Sequence, residues 1–124
     1  MKNNPKHIRA MKEGKAPLEY LITSVDDDDA WVLKGGADDY GVRNWLIDRI
    51  LSSTYEGAIR RHFKAWAEGQ DLDPKSGKHH FHHIRACCAI VLDAKKHDQL
   101  IDDRDRKESI DQDAEMSQQI ILRD

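Results

Sequence analysis

Apolar residues recur at helical spacing over residues 17–34, and this pattern predicts the first long helix of the fold. The stripe follows the i, i+3, i+4, i+7 positions of one helix face, and its members are Leu18, Leu21, Ile22, Val25, Val32 and Leu33. Pro17 suits the first turn of a helix, and the pair Gly35-Gly36 predicts its end. Within the stripe lies an acidic run, residues 26–29, in which Asp29 falls among the apolar positions.

Two further helices are predicted at residues 54–68 and 79–96. Ser53 or Thr54 is the expected cap of the earlier helix, and Gly69 is its expected stop. The later helix is expected to have its cap near Ser76 or Gly77. The stripe of the earlier helix consists of Tyr55, Ala58, Ile59, His62 and Trp66, and that of the later helix of Phe81, Ile84, Cys87, Cys88, Val91 and Leu92.

The remaining segments have the composition of turns and charged termini. Residues 1–16 are predicted to be a loose basic arm, and residues 69–78 a loop rich in carboxylates. Trp45 marks a short buried turn of helix within residues 37–53. Residues 97–124 form a charged extension, in which 108–123 are expected to add a short amphipathic helix. No strand pattern is convincing, so the predicted fold is all-α: a compact bundle of three main helices with short extra ones, its catalytic part at 17–96.

The composition fits one modest domain. The chain has 124 residues, of which 39% are hydrophobic and 35% are charged, enough for a single core. Its net charge of −3 disfavours a general nucleic-acid binder, because non-specific affinity comes mainly from neutralising phosphates. No apolar run approaches the ~20 residues that span a bilayer. The adjacent Cys87 and Cys88 do not suit a disulfide framework. We therefore expect a cytoplasmic protein without a nucleic-acid or membrane partner.

Four histidines cluster at the start of the third predicted helix, in the run His79-His80-Phe81-His82-His83. On a helical wheel, His80 and His83 lie on the inner side, whereas His79 and His82 point outward. Two inward histidines three residues apart can reach one shared centre. The pair therefore predicts either a metal site or direct binding of a phosphate or a base.

Carboxylates that could complete a metal site lie in the preceding loop and in the first helix. Asp71 and Asp73 belong to the loop, and Asp29 is either a ligand or an acid bonded to a neighbouring base. Mixed carboxylate and imidazole ligands suit Mn²⁺, Co²⁺, Fe²⁺ or Zn²⁺ better than a purely oxygen-loving ion. His62, centred on its helix face, is more often a core residue than a ligand.

An ordered set of residues resembles the phage dATP/dGTP diphosphohydrolase family, which are MazG-like nucleotide pyrophosphohydrolases and include the MazZ proteins. The resemblance covers residues 17–93. The residues that carry it are Gly36-Ala37, Tyr40-Gly41, Arg43-Asn44-Trp45, Ala58, Arg61-His62, Gly69, Asp71, Asp73, Ser76-Gly77, His80 and His83.

The resemblance implies a helical bundle that assembles as a homodimer or a homotetramer. It implies cleavage of a purine deoxynucleoside triphosphate, dGTP or dATP, between its α and β phosphates, giving the monophosphate and pyrophosphate. It implies a divalent cation, Mg²⁺ or Mn²⁺, with Co²⁺ or Zn²⁺ as alternatives. In phages that replace adenine by 2-aminoadenine, such an enzyme supplies dGMP, inside the host cell.

Roles follow for the candidate residues. Metal ions neutralise phosphate charge and activate water, and the expected ligands are Asp29, Asp71, Asp73, His80 and His83. Glu68 is expected to orient the attacking water, acting with Asp73 and His80 as the catalytic group. The expected phosphate contacts are Arg43, Arg61 and Lys78, the base pocket consists of Tyr40, Asn44 and Trp45, and His62 is placed with the substrate-binding residues.

The chain also departs from the family pattern. The glutamates of the Glu-x-x-Glu and Glu-x-x-Asp motifs of MazG proteins are missing, Asp39 stands where relatives carry a lysine, and Gln70 stands where an acid is common. Two alternatives therefore stay open. One is a noncatalytic nucleotide- or metal-binding helical module, and the other is an HD-type phosphohydrolase that uses His62, His83 and His97-Asp98.

Overall fold

Helices carry most of the chain in the computed structural model, which describes residues 3–105. The all-α prediction is confirmed. The helices are α1 (Pro5–Lys12), α2 (Asp26–Tyr40), α3 (Ser52–Ala67) and α4 (His80–Lys96), with short 3₁₀ turns at Leu18–Tyr20, Thr23–Val25 and Asn44–Leu46. Two short strands, β1 (Ile50–Leu51) and β2 (Leu100–Ile101), pair in parallel, although the sequence predicts no strand. The predicted helix at 108–123 lies outside the described residues.

Helix α2 is displaced from its predicted position. It begins at Asp26 rather than near Pro17, and the apolar residues of 18–22 lie before it in exposed backbone turns. The acidic run therefore forms the first turn of the helix, where carboxylates face the positive end of the helix dipole. The helix passes through Gly35-Gly36 and ends at Gly41, whose φ of 96° is accessible mainly to glycine.

The α3–α4 pair is the principal contact of the fold, and α2 packs against α4. Gly69, with φ of 103°, ends α3 as predicted. There the N–H of Gln70 bonds the carbonyl of Ala65 at 3.0 Å, a closure common at helix C-termini. The predicted caps are wrong: α3 begins at Ser52 without a side-chain cap from the preceding residue, and the ring of His79 caps α4 by accepting from the Phe81 N–H.

The segment after α4 is tied back to the start of α3. Ile50 pairs with Leu100, and Leu51 with Ile101. Asp103 then accepts hydrogen bonds from the Ser52 hydroxyl at 2.7 Å and from the Ser53 N–H at 2.9 Å, as well as from the Ser53 hydroxyl. The carboxylate thus caps α3 from a distant part of the chain. Part of the predicted C-terminal extension therefore belongs to the body of the fold.

Replacing Asp103 by Asn should destabilise the protein in a pH-dependent manner. Hydrogen bonds from the Ser53 and Ser52 hydroxyls lower the pKa of Asp103 to about 2. A carboxyl group with a lowered folded-state pKa stabilises the fold above its unfolded pKa, and this contribution is lost as the pH falls from about 4 towards 2. We expect Asp103→Asn to lower the unfolding midpoint at pH 7 by a few degrees. In melts from pH 7 down to pH 2.5 the difference from wild type should shrink below pH 4, and a constant difference would contradict the role of the charge.

Few side chains are fully enclosed within residues 3–105. Ile50, Ala86, Ala94 and His80 are buried, whereas large apolar groups such as Trp31 and Tyr40 are 60% and 75% exposed. Residues 1–16, predicted to be a loose arm, contain α1, which is capped by the Asn4 side chain. None of the helices in this part of the chain has the length and apolar content needed to cross a membrane.

Candidate active site

The loop between α3 and α4 is folded as a tight hairpin. Its base is an antiparallel bridge between Leu72 and His79. The N–H of Asp73 bonds the carbonyl of Lys78 at 2.8 Å, and the N–H of Gly77, which has φ of 74°, bonds the carbonyl of Asp73 at 2.7 Å. This closure fixes Asp73 beside the first turn of α4.

Asp73 is a turn former and a site residue at once. Its Oδ1 accepts from the N–H groups of Lys75 at 2.7 Å and Ser76 at 3.1 Å, as short acidic side chains often do in turns. Its Oδ2 lies 3.6 Å from Nδ1 of His62 on α3. Burial opposes ionisation of the Asp73 carboxyl, but the backbone bonds from Ser76 and Lys75 prevail and lower its pKa.

Three side chains converge next to this turn. Nδ1 of His62 lies 2.8 Å from Nδ1 of His80, and one ligand atom from each of His62, Asp73 and His80 lies within 4.8 Å of the others. We call these three residues the His–Asp cluster. His80 is 3% exposed, and its Nε2 bonds Oε1 of Gln70 at 2.8 Å. Nδ1 of His62, a residue that the sequence places with the substrate-binding group, also lies within 3.6 Å of both predicted ligands, Asp73 and His80.

His83 lies beside the cluster. Its ring stacks on that of His62, with centroids 4.4 Å apart, and its Nε2 bonds the Ser76 hydroxyl at 2.6 Å. Burial is the main cause that lowers the pKa of both His62 and His83; neighbouring imidazoles lower it further, whereas the charge of Asp73 opposes the shift. Both rings are therefore held neutral near pH 7.

A cavity of about 790 Å³ opens in front of the cluster. Eight residues proposed from the sequence line it, namely Tyr40, Asn44, Trp45, Arg61, His62, Asp73, Lys78 and His83. Lys75, Ser76 and Tyr55 also line it and were missed. The Tyr55 pKa is raised, mainly by burial. Tyr55 had a sequence signal as a member of the apolar stripe of its helix, and Ser76 had one as a candidate helix cap and as a residue of the family resemblance, whereas Lys75 had none.

Cationic and anchoring groups surround the cavity. Lys78 is held by Asp28 at 3.0 Å, and this contact lowers the pKa of Asp28. Arg61 forms no ion pair within the described part of the chain, so its guanidinium is available to an anion. The indole N–H of Trp45 donates to Asp93 at 2.9 Å, so Trp45 also ties its turn to α4.

Four other candidates lie apart from the His–Asp cluster. Asp29 bonds His82 and Arg85. Asp71 is exposed, and its backbone carbonyl accepts from the His80 N–H at 2.9 Å. Glu68 follows the end of α3 and faces Lys64. Arg43, with a left-handed φ of 51°, lines a different hollow.

Asp29 joins α2 to α4. Its two oxygens lie 2.6 Å from Nδ1 of His82 and 2.7 Å from Nε of Arg85. The outward position expected for His82 is therefore wrong, since only 16% of its side chain is exposed. These contacts match the alternative in which Asp29 is bonded to neighbouring basic side chains rather than to a metal ion.

Replacing Asp29 by Ala should reduce the free energy of unfolding by about 1–3 kcal/mol, because both partners of a half-buried carboxylate would lose a charged hydrogen bond. Asp27 is exposed on the same helical turn, so Asp27→Ala is the matched control and should change stability by less than about 0.5 kcal/mol. Urea unfolding of the two variants measures the difference. Equal effects would show that the Asp29 contacts do not form in solution.

The HD-type alternative lacks geometric support in residues 3–105. His62 and His83 are stacked at the cavity. His97 follows the end of α4 and bonds the Asp93 carbonyl. Asp98 lines a separate groove with Ser52 and Lys95. The histidine–aspartate pair that this mechanism needs therefore does not join the other two histidines.

The fold and the cavity define a class: an all-α domain with a cavity lined by apolar, aromatic and charged side chains, within the size range of small-molecule sites. More specifically, the chain belongs to the dATP/dGTP diphosphohydrolase family, because the N-terminal domain of that family matches residues 5–104. The match includes all members of the His–Asp cluster and confirms the family resemblance carried by the residues. No curated protein and no solved structure gave a significant match.

Proposed function

We propose that this chain hydrolyses dGTP, dATP or both to the deoxynucleoside monophosphate and pyrophosphate. The family supports a purine deoxynucleotide as substrate. The observation that carries the proposal is the juxtaposition of the His–Asp cluster with a 790 Å³ cavity, whose lining includes cationic and aromatic side chains as well as the carboxylates of Asp38 and Asp39. The His–Asp cluster and the cationic side chains suit a triphosphate, and the aromatic side chains suit a purine base.

The triphosphate is proposed to lie at the end of the cavity nearest the His–Asp cluster. Arg61 directly precedes His62 in α3, and Lys75 and Lys78 belong to the turn that holds Asp73. Arginine can bind two phosphate oxygens at once, and the lysines add positive charge. These groups would offset the repulsion between a polyanion and a mildly acidic chain.

The base is proposed to contact the aromatic residues. Tyr40, Trp45 and Tyr55 line the cavity and offer ring faces for stacking, and Asn44 offers an amide that can both donate and accept. This wall contains no residue that by its type alone would select guanine over adenine. Both dGTP and dATP are therefore proposed as substrates.

In the proposed reaction a water attacks the α-phosphorus, the bond from that phosphorus to the bridging oxygen breaks, and pyrophosphate leaves. A divalent cation held by His62, Asp73 and His80 would supply positive charge to the phosphate oxygens and the attacking water. His83 is neutral near pH 7 and can accept a proton at Nε2, the atom that bonds the Ser76 hydroxyl. Gln70 holds the His80 ring in place.

Assembly of two or four copies is part of the proposal. Large apolar side chains are exposed on α2 and in the preceding turns, including Trp31 at 60%, Leu21 at 66% and Ile22 at 72%. Exposed apolar patches of this kind often mark contacts between proteins. Sedimentation of the active protein tests the idea, and a fully active monomer would remove it.

The setting that fits the family resemblance is the cytoplasm of a phage-infected cell. There the enzyme would remodel the purine deoxynucleotide pool. In a phage that uses 2-aminoadenine, its product would be the dGMP that feeds the modified nucleotide.

Product analysis tests the proposed reaction. The protein is incubated with each of the four deoxynucleoside triphosphates and with GTP, in Mg²⁺ or Mn²⁺, and the products are resolved. Monophosphate with pyrophosphate from a purine substrate is expected. Deoxynucleoside with inorganic triphosphate would support the HD-type reaction, and nucleotide that raises the melting temperature without turnover would support a binding module. Asp73→Asn protein prepared in parallel excludes a contaminating hydrolase.

A further inference from the structure

We propose that His62, Asp73 and His80 bind one first-row transition-metal ion per chain, such as Mn²⁺, Fe²⁺, Co²⁺ or Zn²⁺, in preference to Mg²⁺. This inference names the cofactor class of the site proposed above. Its test measures metal binding directly and does not require turnover.

The positions of the donor atoms fit a shared ion. Nδ1 of His62 lies 2.8 Å from Nδ1 of His80 and 3.6 Å from Oδ2 of Asp73. Donor atoms that are each roughly 2.1 Å from one ion lie roughly 3 Å apart. The three side chains come from α3, the hairpin and α4, all of which are fixed by packing or backbone hydrogen bonds.

Gln70 sets the proton position on His80. The amide oxygen of Gln70 lies 2.8 Å from Nε2 of His80 and can only accept, so Nε2 carries the proton. Nδ1 of a neutral His80 then has a free lone pair, and that lone pair faces His62 and Asp73. Metal-binding histidines commonly donate their second N–H to such an oxygen, which fixes the tautomer and the ring orientation. Gln70 is therefore a positioning residue for the metal site.

The donor set determines the class of ion. Two of the three donors are imidazole nitrogens and one is a carboxylate oxygen. Mg²⁺ prefers oxygen ligands and retains several waters, whereas two histidines with one carboxylate suit transition metals with open positions.

A structural hydrogen bond is the competing explanation for the close histidines. His62 could donate from Nδ1 to His80, which would hold α3 against α4 without an ion. That explanation predicts that changes in the cluster alter stability but that the protein binds no metal there. The two explanations therefore differ in a direct binding measurement.

The experiment uses the full chain after removal of bound metal with a chelator. Co²⁺ is titrated and followed by its visible absorption, and Mn²⁺, Zn²⁺ and Mg²⁺ are titrated by calorimetry. We expect one Co²⁺ per chain and an affinity for Mg²⁺ at least 10-fold weaker than for Mn²⁺. Asp73→Asn and His62→Gln should each lower Co²⁺ affinity at least 10-fold, whereas His97→Gln, a change at the exposed end of α4, should not.

Gln70 provides a more selective test. Gln70→Ala should lower the affinity about 10–100-fold, and Gln70→Glu, which keeps an acceptor oxygen, should restore most of it. Circular dichroism confirms that each variant is folded. No Co²⁺ or Zn²⁺ binding, unchanged binding in Asp73→Asn, or Mg²⁺ binding as tight as Mn²⁺ would each overturn the inference. Turnover with Mg²⁺ but without transition-metal binding would overturn it and leave the proposed function intact, whereas metal binding without turnover would do the reverse.

Discussion

Replacement of Asp73 by Asn is expected to reduce the proposed hydrolysis of purine deoxynucleoside triphosphates by about 10²–10³-fold, the range seen when one essential electrostatic group is removed. The two oxygens of this carboxylate have separate tasks. Oδ1 accepts the two N–H groups that shape the hairpin, and Oδ2 faces His62. Asparagine keeps one oxygen that can accept the hydrogen bonds of the turn, and an NH2 group replaces the other oxygen. The variant should therefore fold and yet lose the negative charge of the site.

Steady-state rates and melting temperatures should be measured on the same preparation. Asp48→Asn is the matched control, since Asp48 is exposed and outside the cavity, and it should retain wild-type turnover. A folded Asp73→Asn protein with more than a tenth of wild-type turnover would remove Asp73 from the catalytic machinery. A loss of turnover that merely follows unfolding would assign the residue to the turn alone.

Replacement of Arg61 by Ala is expected to raise KM about 10–100-fold, which corresponds to about 1.4–2.8 kcal/mol of lost binding, with a smaller change in kcat. Arg61 lines the cavity, and its guanidinium forms no ion pair among residues 3–105. Its guanidinium can therefore engage phosphate without first breaking an ion pair to any of these residues. Arg61→Lys should recover part of the loss because it keeps the charge but not the two-pronged geometry.

The neighbouring Arg60 is the control for this measurement. Arg60 is 77% exposed and paired with Glu56 on the outer side of α3, so Arg60→Ala should leave KM within about twofold of wild type. Initial rates over a range of substrate concentrations separate KM from kcat. Equal increases in KM for both variants would indicate general charge steering rather than a phosphate contact at Arg61.

Much of the fold could be predicted because local signals and packing agree along α3 and α4. The stop at Gly69 and the loop at 69–78 were visible in the composition. The start of α2 was not, because the residues of 18–22 have helical spacing but find no surface on which to pack. Gly35 and Gly36 predict a stop, but a glycine in a helix interior costs only about 1 kcal/mol, and the helix continues to Gly41.

The candidate site was predictable only in part. Asp73 belongs to a carboxylate-rich loop and His80 to a run of histidines, and both patterns are visible in the sequence. Both residues lie in the His–Asp cluster. The role of His62 depends on a partner 18 residues away, and a helical wheel shows only that the ring faces inward. The contact of Gln70 with His80 likewise arises from the fold, because the closure after Gly69 directs a neutral amide towards the ring.

The pairing of β1 with β2 has a consequence for the order in which the molecule folds. His62 and His80 are separated by 18 residues, whereas Ser52 and Asp102 are separated by 50. Since loop-closure entropy grows with the logarithm of loop length, closing the longer loop costs about 1 kcal/mol more. The α3–α4 hairpin with its two facing imidazoles is thus expected to form first, and the strand pair, together with the Asp103 cap, to close around it afterwards.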